Sequence, residues 1–303
     1  MERNLVFLLV ALFNLQTELL AQPDNIMLQS EKSAISVKQI MLPGKFILEY
    51  TETGNKMGIP VILLHGYSDS RLSYQKILPF ISESIHVYAV TMRGHGNSGH
   101  PEHGYSPVDF ANDIAEFMKL LHIPKAILVG HSLGATVVQR FALDHPELVK
   151  GIVLVAALPS FSENQTTKEM APAIAGLSDP VDPEFVAAFQ KEMVEKPIPA
   201  EELNLYISES LKLKASTWKS IMNSFGNVDY RKDLQALKIP ALILWGDKDI
   251  VSTKAEQLTL QKALPHSQLK IYDNLGHSIH WEEPALFVRD LESFIFSLHS
   301  DLN

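Results

Sequence analysis

The chain has 303 residues, no cysteine and a formal net charge of −9 at pH 7. This length suits one large domain, or a core with an insertion. The lack of cysteine excludes disulfides, thiolate metal sites and a cysteine nucleophile. An acidic chain with scattered Lys and Arg residues gives no reason to expect nucleic acid or an anionic membrane as a partner.

The N-terminus resembles a secretory signal peptide. Arg3 precedes an apolar run from Leu5 to Phe13, and the segment from Leu19 to Gln22 resembles a cleavage region. The apolar run is too short to span a bilayer, so we expect no stable membrane span. We therefore expect a signal peptide over residues 1–21, a polar linker over 22–33, and a secreted or periplasmic protein. An uncleaved anchor and a cytoplasmic extension are the alternatives.

Strand and helix patterns then alternate along the chain. Two strands around Pro43-Gly44 predict an antiparallel hairpin, and apolar strands separated by helical stretches follow. Such alternation predicts a mostly parallel, eight-stranded sheet with helices on both faces. The expected strands are Ala34 to Leu42, Lys45 to Thr51, Pro60 to Leu64, His86 to Met92, Ala126 to Val129, Gly151 to Ala156, Pro240 to Trp245 and Gln268 to Tyr272. The expected helices are Arg71 to Ile81, Ser106 to Leu121, Ser132 to His145, Lys254 to Leu264 and Glu282 to His299.

One long segment interrupts this alternation. Residues 158–230 contain no convincing apolar strand, but they do contain helical stretches at Pro183 to Glu195 and Ala200 to Leu213. A helical insertion between two strands of a sheet predicts a cap. The core would then consist of residues 34–157 and 231–303.

A sharp turn is expected where the strand from Ala126 to Val129 runs into Gly130-His131-Ser132-Leu133-Gly134 and a helix follows. This strand–turn–helix context gives the G-x-S-x-G pattern its meaning as a nucleophile elbow. The turn lifts the Ser132 hydroxyl above the sheet edge, and Gly130 and Gly134 let the helix pack close to the strand. The alternative is a serine at a helix N-terminus, where serine is favoured.

An acid and a base follow the serine in chain order. Gly246-Asp247-Lys248-Asp249 ends the strand after the insertion, and Gly276-His277 follows the last strand. The carboxyl ends of parallel strands meet at one edge of a sheet, where reactive groups gather. Asp247 competes with Asp249 for the role of the acid, and His280 competes with His277 for that of the base.

These motifs resemble the α/β-hydrolase family, specifically its capped esterase, lactonase and haloperoxidase-like members. The resemblance runs from about Ser33 to His299 and includes Leu63 to Tyr67, the R-G-x-G-x-S-like loop Arg93 to Ser98, and Glu282-Glu283-Pro284. It implies the α/β-hydrolase fold with a helical cap. It favours Asp249, the third residue after Gly246, and it favours His277, which follows a glycine and precedes Glu-Pro.

The resemblance implies a triad in which each residue has a separate role. Ser132 is the nucleophile, His277 its general base, and Asp249 the acid that orients the imidazole. The backbone N–H groups of Tyr67 and Leu133 are the expected oxyanion hole. The expected supporting residues are His65, Gly66, Gly130 and Gly134.

Two other patterns do not predict a site. Gly94 to Gly99 satisfies G-x-G-x-x-G, but a dinucleotide site needs a helix to begin at that loop, and Pro101 and Pro107 delay the helix. The nearby histidines His95 to His103 lie in a Gly- and Pro-rich loop without a fixed face for a metal ligand set. We expect no cofactor and no metal.

The sequence therefore predicts a serine hydrolase that cleaves an ester, lactone or related acyl bond of a small, largely apolar substrate through an acyl-enzyme. Ser132 argues against haloalkane and epoxide chemistry, which uses an aspartate nucleophile in this fold. Carbon–carbon bond hydrolysis by the same triad and a non-catalytic ligand receptor of this fold are the alternatives. Possible substrate contacts are Trp218, Met222 and Phe225, whose helical spacing also fits the core of a cap.

Overall fold

The computed structural model describes residues 34–43 and 46–300, so the expected signal peptide and linker lie outside the described residues. Within these two ranges, no helix is both long enough and apolar enough to cross a membrane.

Among the described residues, eight strands form one sheet with the spatial order β1-β2-β4-β3-β5-β6-β7-β8. The first strand pairs antiparallel with the second, and the second pairs antiparallel with the fourth. Every other pairing is parallel, which confirms the predicted fold class. The strands are β1 (Ser36–Met41), β2 (Ile47–Gly54), β3 (Ile59–Leu64), β4 (Ile85–Val90), β5 (Ala126–His131), β6 (Val149–Val155), β7 (Ala241–Gly246) and β8 (Ser267–Tyr272).

The helices cover both faces of this sheet. Neighbouring residues of the central strands point to opposite faces, so Ile62 and Leu64 pack into one buried cluster while Val61 and Leu63 pack into another. The helices are α1 (Pro107–Leu120), α2 (Leu133–Asp144), α3 (Gln165–Ala175), α4 (Pro183–Lys191), α5 (Ala200–Ser210), α6 (Ala215–Phe225), α7 (Lys254–Ala263), α8 (Ile279–Glu282) and α9 (Pro284–Ser300).

The expected helix from Arg71 to Ile81 is absent, and two short 3₁₀ helices, Arg71–Tyr74 and Leu78–Phe80, take its place. Pro79 lacks the N–H that an α-helix would need at this position. The Ser70 hydroxyl accepts a hydrogen bond from the N–H of Leu72, which caps the first of these turns. The segment therefore remains close to the end of β3.

Four helices, α3 to α6, occupy the segment between β6 and β7. A single antiparallel bridge between Ser160 and Asp229 joins the two ends of this helical insertion. The insertion has a small apolar cluster of its own, in which Trp218 is fully buried against residues such as Ile174 and Val186.

Candidate active site

Ser132 lies at the turn from β5 to α2 in a strained backbone conformation. Its φ is 51° and its ψ is −115°, and its side chain makes no capping hydrogen bond to the helix. Positive φ at a residue other than glycine is costly and persists only where the surrounding structure enforces it. The hydroxyl is thus presented to the space above the sheet edge rather than used to cap α2.

Close backbone contacts explain the two glycines of this turn. A Cβ atom on Gly134 would lie 2.3 Å from the carbonyl oxygen of Leu64, at the end of β3. A Cβ atom on Gly130 would lie 2.3 Å from the carbonyl oxygen of Gly134 itself. Only glycine lets α2 begin this close to the two central strands.

His277 and Asp249 form a buried hydrogen-bonded pair. The Nδ1 atom of His277 lies 2.9 Å from each carboxylate oxygen of Asp249. The carboxylate also accepts hydrogen bonds from the backbone N–H groups of Val251 (2.7 Å) and Ser252 (3.0 Å) and from the Ser252 hydroxyl (2.6 Å). These donors fix the carboxylate, and the carboxylate fixes the imidazole with Nε2 as its free nitrogen.

Glu282 holds the loop that carries His277. Its carboxylate accepts hydrogen bonds from the backbone N–H of Gly276 (2.8 Å) and from that of Lys196 (2.7 Å), in the helical insertion. Burial raises the pKa of Glu282, and these backbone donors oppose the shift. Glu282, the first residue of the Glu282-Glu283-Pro284 segment, therefore ties the loop of His277 to the insertion.

Tyr67 lies on the loop after β3 and Leu133 at the start of α2, so the two expected oxyanion donors lie at the same end of the sheet. Within the described residues, no hydrogen bond uses the backbone N–H of Tyr67 or that of Leu133. His65 supports this loop, because its Nδ1–H donates to the carbonyl of Gly66 (2.8 Å) and its Nε2 accepts from the N–H of Met92 (3.0 Å). Burial lowers the pKa of His65 to about 4, which keeps the ring neutral at pH 7.

Ser132 and His277 line one cavity whose remaining wall is mainly apolar. No hydrogen bond joins the two side chains in the part of the chain that is described, but both face the same space together with Tyr67 and Leu133. Both the core and the helical insertion contribute apolar residues to this wall, and the insertion contributes most of them. The apolar wall residues are Leu133 and Val251 from the core and Leu158, Phe161, Met170, Phe189, Met193, Ile221, Met222 and Phe225 from the insertion.

Two of the three expected substrate contacts, Met222 and Phe225, lie in this wall, and Trp218 does not. The Trp218 ring is fully buried and packs against the ring of Tyr67, with their centroids 4.7 Å apart. Its carbonyl oxygen accepts the Tyr67 hydroxyl at 2.5 Å. Trp218 therefore packs against the loop after β3 instead of facing the cavity.

Asp69 and Gln190 belong to the site but were not among the expected residues. Asp69 lies in the loop after β3 and accepts a 2.9 Å hydrogen bond from Gln190 of α4. Burial raises the pKa of Asp69 to about 7. An acid four residues after His65, at a strand end, was the available sequence signal for Asp69. Nothing in the sequence pattern indicates Gln190, because its contact crosses from the insertion to the core.

No cluster of three or more His, Cys, Asp or Glu side chains suited to a metal ion occurs among residues 34–43 and 46–300. The loop from Gly94 to Gly99 is followed by further irregular chain, and α1 begins only at Pro107. It therefore presents no helix N-terminus to a pyrophosphate.

Comparisons with known proteins agree with this architecture. Residues 58–284 match the family model described as serine aminopeptidase, S33. The α/β-hydrolase superfamily protein YisY of Bacillus subtilis is 29% identical over 238 residues, which cover 75% of this chain and 87% of that protein. A non-heme chloroperoxidase of Streptomyces lividans is 27% identical over 268 residues, covering 82% of this chain and 95% of that protein.

A solved structure shows the same likeness. Esterase RhEst1 from Rhodococcus sp. ECU1013 superimposes with a TM-score of 0.79 at 27% identity, covering 87% of this chain and 99% of that one. The family model spans most of the chain, and the sheet is eight-stranded and mostly parallel. The chain is therefore a hydrolase of the α/β-hydrolase family and belongs to the group described as serine aminopeptidase, S33.

Proposed function

We propose that the chain is a serine hydrolase that cleaves an ester, lactone or related acyl bond of a small, largely apolar substrate through an acyl-enzyme on Ser132. The observation that carries this proposal is one apolar cavity whose wall contains both Ser132, on its strained turn, and His277, which is hydrogen-bonded to Asp249.

In the proposed acylation step, the Ser132 hydroxyl attacks the substrate carbonyl while Nε2 of His277 takes its proton. Asp249 holds the imidazole in the required tautomer and stabilises the imidazolium that forms. Catalytic hydrogen bonds are often long without substrate and tighten when it binds. This behaviour accommodates a serine and a histidine that share a cavity wall before they are joined by a hydrogen bond.

The negative oxygen of the tetrahedral intermediate would be bound by the N–H groups of Tyr67 and Leu133. Both donors are free of other hydrogen bonds in the described chain, and Leu133 is the first residue of α2, where the helix dipole favours negative charge. One preorganised donor of this kind is worth about 3 kcal/mol in the transition state.

The apolar wall supports a largely apolar acyl group. Most of its apolar residues come from the helical insertion, including Met170, Phe189 and Met222. We accordingly propose that the insertion is a cap that encloses the substrate and excludes water. An esterase of known structure is among the similar proteins, which supports acyl chemistry at this site.

The decisive experiment measures the intact mass of the protein after incubation with a fluorophosphonate. The parent should gain one adduct, Ser132→Ala should gain none, and the control Ser208→Ala, at an exposed position of α5, should react like the parent. The same three proteins are then assayed with p-nitrophenyl esters of increasing acyl length, with lactones and with an aminoacyl anilide. Ester or lactone turnover that is lost only in Ser132→Ala supports the proposal.

Other outcomes identify the alternatives. A serine adduct without turnover of any ester or lactone would direct the search to carbon–carbon bond hydrolysis by the same triad. Saturable binding of a small apolar ligand without an adduct or a product would favour a ligand receptor. No adduct on well-folded parent protein contradicts the proposed activation of Ser132.

A further inference from the structure

A second, smaller cavity adjoins Ser132 and His277. It holds about 220 Å³ of space between atoms, compared with about 490 Å³ in the apolar cavity. Its wall contains three polar side chains that the apolar cavity lacks, those of Asp69, His131 and Gln190. A space of this size and polarity suits a small polar group better than an acyl chain.

Two of these side chains have a buried acceptor atom that lacks a partner in the described structure. His131 donates from Nε2 to the carbonyl oxygen of His277 (3.1 Å), so its Nδ1 is left as an acceptor. Gln190 donates from Nε2 to Asp69 (2.9 Å) and to Ser210 (2.6 Å), so its Oε1 is likewise left as an acceptor. Buried polar atoms normally have partners, and a missing one calls for an explanation.

Asp69 adds a third acceptor. Its Oδ2 atom lies 4.0 Å from Nδ1 of His131 and accepts a long hydrogen bond, 3.5 Å, from the Ser73 hydroxyl. The backbone N–H of Gly66 also interacts with this carboxyl group. Gly66 lies beside both atoms, because a Cβ there would come 2.7 Å from His131 Nδ1 and 3.0 Å from Asp69 Oδ2. Where Asp69 is ionised, three acceptors therefore belong to the wall of one small cavity, and a hydrogen-bond donor in that cavity would satisfy them.

We propose that this cavity, lined by Asp69, His131 and Gln190, binds the water molecule that hydrolyses the acyl-enzyme. The proposal rests on the function proposed above. A water molecule has two O–H groups, so it can donate one to Nε2 of His277 and the other to the acceptor cluster. An alcohol has one O–H group and cannot satisfy both, so the cavity favours hydrolysis over acyl transfer to alcohols.

The chemical step is balanced without a further reactant. The water oxygen attacks the acyl carbon, and His277 Nε2 takes the proton of the O–H that points toward it. When the tetrahedral intermediate collapses, the bond between the acyl carbon and Ser132 Oγ breaks, and His277 returns its proton to that oxygen. The products are the free acid and the serine hydroxyl. Asp69, His131 and Gln190 orient the water through its second hydrogen.

The test compares acylation with deacylation of the same protein at pH 8, using a p-nitrophenyl ester. In Asp69→Asn, an acceptor oxygen becomes a donor with little change in shape. We expect the initial burst, which reports acylation, to stay within about threefold of the parent, and the steady rate of deacylation to fall at least about tenfold. The control Asp182→Asn, at an exposed helix N-cap that asparagine serves equally well, should match the parent in both phases.

A second measurement adds methanol and determines the ratio of methyl ester to free acid. The parent should form much less methyl ester than the methanol concentration alone dictates, and Asp69→Asn should shift the ratio toward the ester. Gln190→Met, which removes the second acceptor at similar length, should shift it the same way and serves if Asp69→Asn does not fold.

The possible failures are distinct. If the parent gives neither a burst nor a fluorophosphonate adduct, the proposed function itself is wrong. If the parent gives a burst but deacylation and the product ratio are unchanged in both variants, only the water site is wrong. If the rates of acylation and deacylation fall equally in both variants, Asp69 and Gln190 have only a structural role in holding the loop after β3. That result would also overturn the proposal.

Discussion

Nδ1 of His277 lies 2.9 Å from both carboxylate oxygens of Asp249, and both side chains are almost completely buried. Asp247, two residues earlier on the same turn, accepts instead from the backbone N–H of Asn274 at 2.6 Å and lies 3.6 Å from the ammonium of Lys248. The two acids at the end of β7 are therefore separated by geometry, because one faces the histidine and the other stabilises the neighbouring turn.

This difference predicts opposite outcomes for one chemical change. Asp249→Asn keeps the shape of the side chain but presents a donor to His277 and favours the wrong tautomer, so kcat should fall about 10³- to 10⁴-fold. Asp247→Asn should leave kcat within about threefold, because the backbone donor at Asn274 can still be bound. Steady-state hydrolysis of a p-nitrophenyl ester measures both. Comparable losses in the two variants would contradict the assignment of Asp249.

The sequence could predict the sheet, and it could name Ser132, Asp249 and His277 as candidates, because those signals are local. Apolar runs of four to six residues mark the strands, and each motif immediately follows a strand. The prediction of an α-helix from Arg71 to Ile81 was wrong, and the reason is equally local. Pro79 cannot donate a backbone hydrogen bond within a continuous α-helix, and this effect outweighs the helical spacing of the apolar residues.

The wall of the site could not be predicted in the same way. Trp218, Met222 and Phe225 share one helix and similar spacing, but which of them faces the cavity depends on how α6 packs against the core. The Asp69–Gln190 hydrogen bond joins residues 121 positions apart. Contacts of that sequence separation are set by tertiary packing, which neither periodicity nor a motif encodes.

The turn at Ser132 predicts a large loss of stability for Gly134→Ala. The added methyl group would lie 2.3 Å from the carbonyl oxygen of Leu64, and backbone cannot move away as a flexible side chain can. We expect a loss of about 3 kcal/mol or more in the free energy of unfolding, measured by urea denaturation.

Gly176→Ala is the matched control for that substitution. Its added Cβ would have only ordinary contacts, 3.5 Å to the carbonyl oxygen of Ala173 and 3.7 Å to that of Pro172, and the backbone there is right-handed helical. We expect a gain of about 0.5 kcal/mol from the lower entropy of the unfolded chain. Similar effects at both glycines would show that the close contact at Gly134 does not constrain the turn.

The position of Met222 in the cavity wall predicts a change of substrate preference. Met222→Phe places a stiffer, bulkier ring there, so kcat/KM for a p-nitrophenyl hexanoate should fall about tenfold relative to that for the acetate. Met57→Phe, at a side chain that is 91% exposed between β2 and β3, is the control and should leave the ratio unchanged. A ratio that is the same in Met222→Phe and the parent would mean that the acyl chain does not reach this wall.

Asp69 predicts how stability depends on pH. Burial raises its pKa in the folded protein from 3.8 to about 7, although hydrogen bonds from Gln190 and Ser73 and the charge of His277 oppose the shift. Three further titratable groups lie near it, and all of them remain neutral in this range. Burial holds the pKa of His131 well below its usual value, and burial raises the pKa values of Tyr74 and Tyr206. Between pH 3.8 and about 7 the folded state binds more protons at Asp69 than the unfolded state does. This group therefore destabilises the fold increasingly as pH rises through that window, by about 1.4 kcal/mol per pH unit, and by a constant amount above it.

Asp69→Asn removes this titration while keeping an oxygen for Gln190 to bind. From pH 5 to pH 8, the free energy of unfolding of the parent should fall by about 3 kcal/mol more than that of the variant. Urea denaturation of both proteins at the two pH values measures this difference, and the contributions of the buried histidines cancel because they are common to both. The control Asp182→Asn, at an exposed N-cap, should show no such change. A difference of zero, or a variant that loses stability relative to the parent as the pH rises, would mean that the Asp69 carboxyl ionises in the folded protein as readily as in the unfolded chain.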